Sequence, residues 1–177
     1  MVIVPGKFIF LCTPRTGSRS VSSALRAIPD VVIGPVHHAH PKDILEAQNK
    51  TGLPTITIIR EPCRQLLSYF WPQIVNGSGR SFKEYVETQP IIPDHFQFNG
   101  AYRLNIYEEI TDHFHLFEKG LEAFFDHWGL SNLNLPLIGT YKGAKKPDPA
   151  YITRTFKEIV GEYFGKDLAL YRKVRAG

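Results

Sequence analysis

The chain has 177 residues, of which 43% are hydrophobic, 12% aromatic and 21% charged. This profile excludes intrinsic disorder and collagen-like repeats, and the length suits one domain better than two. The net charge of +4 is uneven: residues 1–80 carry nine Lys and Arg against four Asp and Glu, residues 81–135 three against nine, and residues 136–177 nine against four. Two basic segments around an acidic middle suit a polyanionic ligand, either nucleic acid or a small phosphorylated molecule, and charge alone does not choose.

Residues 1–7 lack the basic start and longer apolar stretch of a signal peptide. The longest early apolar run, Phe8 to Cys12, falls far short of the ~20 residues of a membrane span, so a cytoplasmic protein is expected. Cys12 and Cys63 cannot make a disulfide framework or a four-cysteine zinc site, and read as small buried hydrophobes. Short β-rich runs alternate with helical patterns, which predicts an α/β domain with a parallel sheet. Strands are expected near residues 8–12, 31–33, 55–59, 113–117 and 136–139. Val21, Ala24, Leu25 and Ile28 share one face of a helix over Ser18–Ile28. A short helix should start at Pro41, and another at Glu61–Pro62 that stops or bends near Pro72. Leu121, Phe124, Phe125 and Trp128 form an apolar stripe ended by Gly129. A final helix is expected with Asp148 as cap and Pro149 next, burying Ile152, Phe156, Ile159, Val160 and Tyr163. Residues 76–107 are rich in turns and suit a lid or acceptor-binding segment of the one domain, 1–177.

The strongest local signal is the run Phe8-Ile-Phe-Leu-Cys-Thr-Pro-Arg-Thr-Gly-Ser-Arg-Ser-Val21, a strand that turns through glycine into a helix. Such a turn aims backbone N–H groups and the positive helix end at one point, a seat for phosphate. Ser18 and Ser20 add hydroxyls, and Arg15 and Arg19 add charge. The GxxxxGK[ST] form of a nucleotide triphosphatase is absent. The next strand, Thr55–Ile59, runs into Arg60, where a magnesium-dependent phosphoryl-transfer enzyme usually places a carboxylate. Arginine there attracts an anion instead. Arg64 and Ser68 follow at four-residue steps, making a second anion site.

Pro14-Arg15-Thr16-Gly17-Ser18 resembles the 5′-phosphosulfate loop of sulfotransferases that use 3′-phosphoadenosine 5′-phosphosulfate (PAPS). Arg60-Glu-Pro-x-Arg-x-x-x-Ser68-Tyr resembles their 3′-phosphate motif, with the spacing and order kept. The segments Phe164–Tyr171 and His113–Glu118 are similar to those of the glycan-type members. The resemblance implies a P-loop-type three-layer α/β sandwich, with a central, mainly parallel sheet flanked by helices. Arginine stands at residue 15 where many members have lysine, Arg19 replaces a small hydroxyl residue, and the chain is short for the family. PAPS would be the donor and 3′,5′-adenosine bisphosphate (PAP) the product. Thr16, Gly17, Ser18, Arg19 and Ser20, with Arg15, would hold the 5′ side, while Arg60 and Ser68 would fix the 3′-phosphate.

His37-His38-Ala39-His40 follows the second expected strand, at the end where open α/β sheets bind ligands. It reads as a metal site, an exposed turn or a catalytic base; no local Cys or carboxylate completes a metal set. Some glycan sulfotransferases resemble this segment through a His-Gly-His element whose second histidine is the base. That implies His40 as base, with His38 orienting the acceptor or serving as the alternative base. In-line sulfuryl transfer to a hydroxyl or amine of a small-molecule or glycan acceptor needs no metal, and neither nucleic acid nor membrane is an expected partner. Arg15 would neutralise charge on the transferring group, and the Lys142–Lys146 loop would fold over the nucleotide or lie as a solvated basic turn. The rival readings are a P-loop kinase or nucleotide hydrolase, and a non-catalytic polyanion-binding module.

Overall fold

The four residues of β2 (Phe8–Leu11) and the five of β4 (Thr55–Ile59) are all buried, so both faces of these strands must be covered. The computed structural model describes residues 1–13, 15–34, 41–77, 79, 81–87, 91–92, 97–98, 101–102, 108–136 and 147–177. In it, β2 and β4 are central in a five-stranded sheet with β1 (Val2–Val4), β3 (Val32–Ile33) and β8 (His113–Leu116), in the order β3-β1-β2-β4-β8. β2 pairs in parallel with β4, and β4 with β8. β1 is antiparallel to both β2 and β3, so β3 points the same way as β2. The sheet is therefore mainly parallel, with β1 inverted. That strand was not expected, because three residues are too few to show a period. Of the expected strand at 136–139, Pro136 lies outside any strand and the rest lies outside the described residues. A second, antiparallel sheet joins β5 (Ile91–Ile92), β6 (Gln97–Phe98) and β7 (Ala101–Tyr102) within the 76–107 segment.

Alternation along the strands sorts the two layers of helices. Phe8, Phe10, Ile56 and Ile58 face α1 (Ser18–Leu25) and α5 (Leu121–His127), packing on Val21, Leu25, Phe124 and Phe125. On the other face Ile9 and Leu11 meet Ile44 and Ala47 of α2 (Pro41–Thr51). Ile59 and Leu116 meet Leu170 and Tyr171 of α7 (Gly165–Ala176). A further cluster joins α3 (Pro62–Val75), α4 (Phe82–Glu87) and α6 (Arg154–Tyr163) around Leu66, Phe70, Phe82 and Phe156. This is the expected α/β sandwich. Among the described residues, no helix is long and apolar enough to cross a membrane.

Three helix boundaries depart from expectation. α1 ends at Leu25, three residues early, because Ala27 and Ile28 bond back to Ala24 and Leu25 in tighter turns ahead of Pro29. α3 runs through Pro72 to Val75, with the Asn76 N–H closing on the Pro72 carbonyl at 3.0 Å. Burial of Leu66, Leu67, Phe70 and Trp71 outweighs the one helical bond that proline removes. Asp148 caps only a short 3₁₀ turn, accepting from the Ala150 N–H at 2.9 Å, and Thr153 caps α6 by accepting from the Phe156 N–H at 3.2 Å. Both cysteines are free and sit in different clusters, Cys63 buried under α6 and Cys12 beside Ser22 of α1.

At the edge of the sheet where β4 begins, the Asp112 carboxylate gathers the start of β4, the start of β8 and the end of α2. Its Oδ2 accepts from the Thr55 N–H at 2.7 Å and Gln48 Nε2 at 3.2 Å, and lies 2.9 Å from the Thr55 hydroxyl, whose one proton is shared with the Ile110 carbonyl at 2.5 Å. The Thr55 backbone bond, more than any other contact, holds the carboxyl below its ordinary value of 3.8. A depressed folded-state value means stability that is present above the ordinary pKa and lost as pH falls through the lowered one. Asp112 is exposed, so water competes, and Asp112→Ala is expected to cost about 1 kcal/mol at pH 7. Urea unfolding across pH should show the gap between wild type and variant closing in acid; a gap independent of pH would contradict this role.

Candidate functional site

Because β2 and β4 are parallel neighbours, the loops that leave them open on the same edge of the sheet. The loop after β2 is braced by three hydroxyls. Thr13 Oγ1 donates to the Ile58 carbonyl of β4 at 2.5 Å, and Ser18 Oγ donates to the Thr13 carbonyl at 2.6 Å. Thr16 Oγ1 lies 2.7 Å from the same carbonyl and 2.9 Å from Thr13 Oγ1. With the Thr13 proton directed at Ile58, the single Thr16 proton is shared between these two acceptors. All three side chains are buried. The hydroxyl proton of Ser18, expected to face a phosphate, is thus committed inside the loop, as is that of Thr16. What the loop offers an anion is the first turn of α1, where the N–H groups of Ser18 and Arg19 have no intrahelical acceptor and the helix dipole is positive.

Gly17 makes that turn possible. It stands before α1 with φ +74°, in the left-handed region, and a Cβ there would lie 2.7 Å from Leu121 Cδ1 and 3.3 Å from Phe117 Cε2. Arg15 is also left-handed, at φ +61°, a conformation that arginine adopts only under constraint. The constraint is visible: Arg60 Nη1 donates to the Arg15 carbonyl at 3.1 Å. Both guanidinium groups lie over aromatic rings, Arg15 Cζ 5.0 Å from the centre of Tyr69 and Arg60 Cζ 4.8 Å from that of Phe117. Burial raises the Tyr85 hydroxyl above its ordinary pKa, and the Arg15 charge partly opposes the rise.

The second loop reaches α3 within two residues. Glu61 caps the helix, accepting from the N–H groups of Cys63 at 3.2 Å and Arg64 at 2.8 Å, and its own N–H donates to Glu118 Oε1 at 3.0 Å. Burial, reinforced by Glu61, pushes the Cys63 thiol up to about 12, so it stays a neutral packing residue. Ser68 lies two turns into α3 and is buried. On the far side, His115 Nε2 lies 2.8 Å from the Gly120 carbonyl, in the turn that delivers Leu121 to Gly17. Burial lowers the basicity of that imidazole, which favours a neutral ring donating from Nε2.

Arg15, Thr16, Gly17, Ser18, Arg19, Ser20 and Arg60 therefore cluster at one edge, with Ser68 on the helix that follows Arg60 and Arg15 joined directly to Arg60. Arg19 and Arg64 are exposed. His38, His40 and the Lys142–Lys146 loop lie outside the described residues; β3, which precedes the histidines, runs parallel to β2 and ends on the same edge. Sequence reasoning did not single out Thr13, Tyr69, Phe117 or Glu118. Tyr69 was within reach, as the residue after Ser68 in the second motif, whereas nothing local marks Phe117 as the partner of a distant arginine.

No protein-family model and no curated protein sequence matches the chain. Among solved structures it is similar to a sulfotransferase from Alicyclobacillus acidocaldarius, with a TM-score of 0.53 and 12% identity, covering 98% of this chain and 96% of that one. The chain has a sulfotransferase-like fold. At this identity the likeness is one of architecture, and it runs nearly end to end.

Gly17→Ala is expected to force the loop apart from Leu121 and to strain the left-handed turn, at a cost of about 2–4 kcal/mol. Thermal melting should register the loss, and calorimetric titration with inorganic pyrophosphate should show at least tenfold weaker binding. Adding Leu121→Ala should recover part of the stability by making room. A Gly17→Ala variant with wild-type melting and binding would contradict the account of the loop.

Proposed function

We propose that the protein is a sulfotransferase that takes its sulfuryl group from PAPS and gives it to a hydroxyl or amine of a small-molecule or glycan acceptor. The observation that carries this reading is the pairing of a helix N-terminus and Arg15 on one loop with Arg60 on the next, linked through the Arg15 carbonyl. Two cationic subsites side by side suit a donor with phosphates at both ends of its ribose. The fit also rests on what Glu61 does. Its carboxylate is spent on the cap of α3 and Arg60 holds the strand end, an arrangement that favours a second phosphate over the magnesium-bound triphosphate of a kinase.

In this reading, the N–H groups of α1's first turn and the Arg15 guanidinium hold the 5′ side of the donor. They are fixed before reaction, so their stabilisation of negative charge costs no reorganisation. Arg60 and Ser68 hold the 3′-phosphate, so that remote binding orients the reacting end. The bound donor supplies the activated sulfuryl group. His40 takes the proton of the acceptor, with His38 orienting the acceptor. Residues 76–107, which include the small sheet β5–β7, serve as a lid or acceptor-binding segment.

Each charge-assisted hydrogen bond to the 3′-phosphate is worth ~1.5–3 kcal/mol, so Arg60→Ala should weaken PAP binding by about 10²-fold. Binding of 5′-AMP should fall by less than about tenfold, through the lost bond to the Arg15 carbonyl. Calorimetric titration of both proteins with both ligands measures the ratio; an equal loss for PAP and AMP would contradict the assignment of Arg60. For the base, His40→Ala should cut sulfuryl transfer by ~10²-fold or more with PAP affinity nearly unchanged. A normal transfer rate in that variant would move the role to His38.

A further inference from the structure

Two arginines of the site, Arg15 and Arg60, each lie over the face of an aromatic ring that belongs to a different element of the fold. The Arg15 guanidinium is 5.0 Å from the centre of the Tyr69 ring, on the second turn of α3, and the Arg60 guanidinium is 4.8 Å from that of Phe117, which opens the 3₁₀ turn after β8. Arg15 makes no ion pair among the described residues. An exposed, flexible arginine without a carboxylate would sample many rotamers, and binding an anion would have to order it, at a cost in entropy. A carboxylate partner would order it as well, but would also neutralise the charge the ligand needs. An aromatic face avoids that conflict, since it attracts the cation through its quadrupole, has no net charge and leaves the N–H edge of the guanidinium open.

The backbone points the same way. Arg15 is held in a left-handed conformation whose carbonyl is clamped by Arg60, which fixes where its side chain departs. Phe117 Cε2 also lies 3.3 Å from where a Cβ on Gly17 would sit, so the ring beneath Arg60 borders the first loop as well. We infer that Tyr69 and Phe117 are positioning residues, aromatic seats that hold Arg15 and Arg60 as charged, pre-oriented anion receptors, Tyr69 serving the 5′ subsite and Phe117 the 3′ subsite. The division into two subsites rests on the PAPS reading above; the seats themselves do not.

The test separates the two. In protein without ligand, the Nε–Hε resonance of Arg15 should carry an upfield ring-current shift that is lost in Tyr69→Leu and kept in Tyr69→Phe. Titration with inorganic pyrophosphate should then show Tyr69→Leu binding about three- to tenfold more weakly than wild type, with Tyr69→Phe unchanged. Among nucleotides, Tyr69→Leu should weaken PAP and AMP alike, leaving their ratio intact. Phe117→Leu should lower the ratio of PAP to AMP affinity by a similar factor, and Phe117→Tyr should restore it. A ring with a merely structural role would move both ligands together in both variants, without rescue by the second aromatic. Unchanged Arg15 resonance and pyrophosphate affinity in a folded Tyr69→Leu variant would overturn the Tyr69 seat. An unchanged ratio in Phe117→Leu, with wild type preferring PAP, would overturn the Phe117 seat. Wild-type protein with no preference for PAP over AMP would reject the two-subsite division and the PAPS reading, while the resonance and pyrophosphate comparisons would still judge the Tyr69 seat.

Discussion

The parallel pairing of β2 with β4 is the constraint on which the rest depends. It sets Ile9 beside Thr55 and Leu11 beside Thr57, so the two strands end on the same edge and release their loops side by side. The Thr13 hydroxyl then reaches the Ile58 carbonyl across the pair, and Arg60 reaches the Arg15 carbonyl one layer above it. Antiparallel pairing would send the two loops to opposite edges, and no side chain could join them. Helices α1 and α5 cover one face of the sheet and α2 and α7 the other, so both strands are buried on both sides, as parallel strands usually are.

Polar groups at the two edges of the sheet do different work. At the edge where β4 begins, Asp112, Thr55 and Gln48 satisfy one another, and the carboxylate's charge is spent on holding strand ends together. At the opposite edge the hydroxyls are spent on loop shape, Glu61 is spent on a helix cap, and two guanidinium groups remain over neutral rings. The carboxylate at one edge is thus held by neutral donors, and the two guanidinium groups at the other lie over aromatic faces.

Much of this was legible in the sequence because the signals were local. Thr55–Ile59 is an unbroken β-rich run closed by a cap and a proline, and its strand and the start of α3 fall where expected. The loop between β2 and α1 was marked by one glycine between a strand and a helix. β1 escaped because three residues carry no period, and Pro72 did not end α3 because tertiary packing outweighs one lost helical bond. The side-chain commitments of Thr16 and Ser18 were hidden for a different reason. A serine or threonine in such a loop can brace it or face the ligand, and only the position of the Thr13 carbonyl decides between them. The contacts of Arg15 with Tyr69 and of Arg60 with Phe117 join residues far apart in the chain, beyond the reach of any local pattern.

The central claim, that two neighbouring cationic loops form one receptor for a nucleotide phosphorylated at both ends of its ribose, is tested most directly by a crystal structure of the protein bound to PAP. The account predicts the 5′-phosphate against the N–H groups of Ser18 and Arg19 at the start of α1, and the 3′-phosphate within hydrogen-bonding distance of Arg60 and Ser68. PAP bound with its 3′-phosphate away from Arg60, or with its 5′-phosphate away from the start of α1, would contradict it.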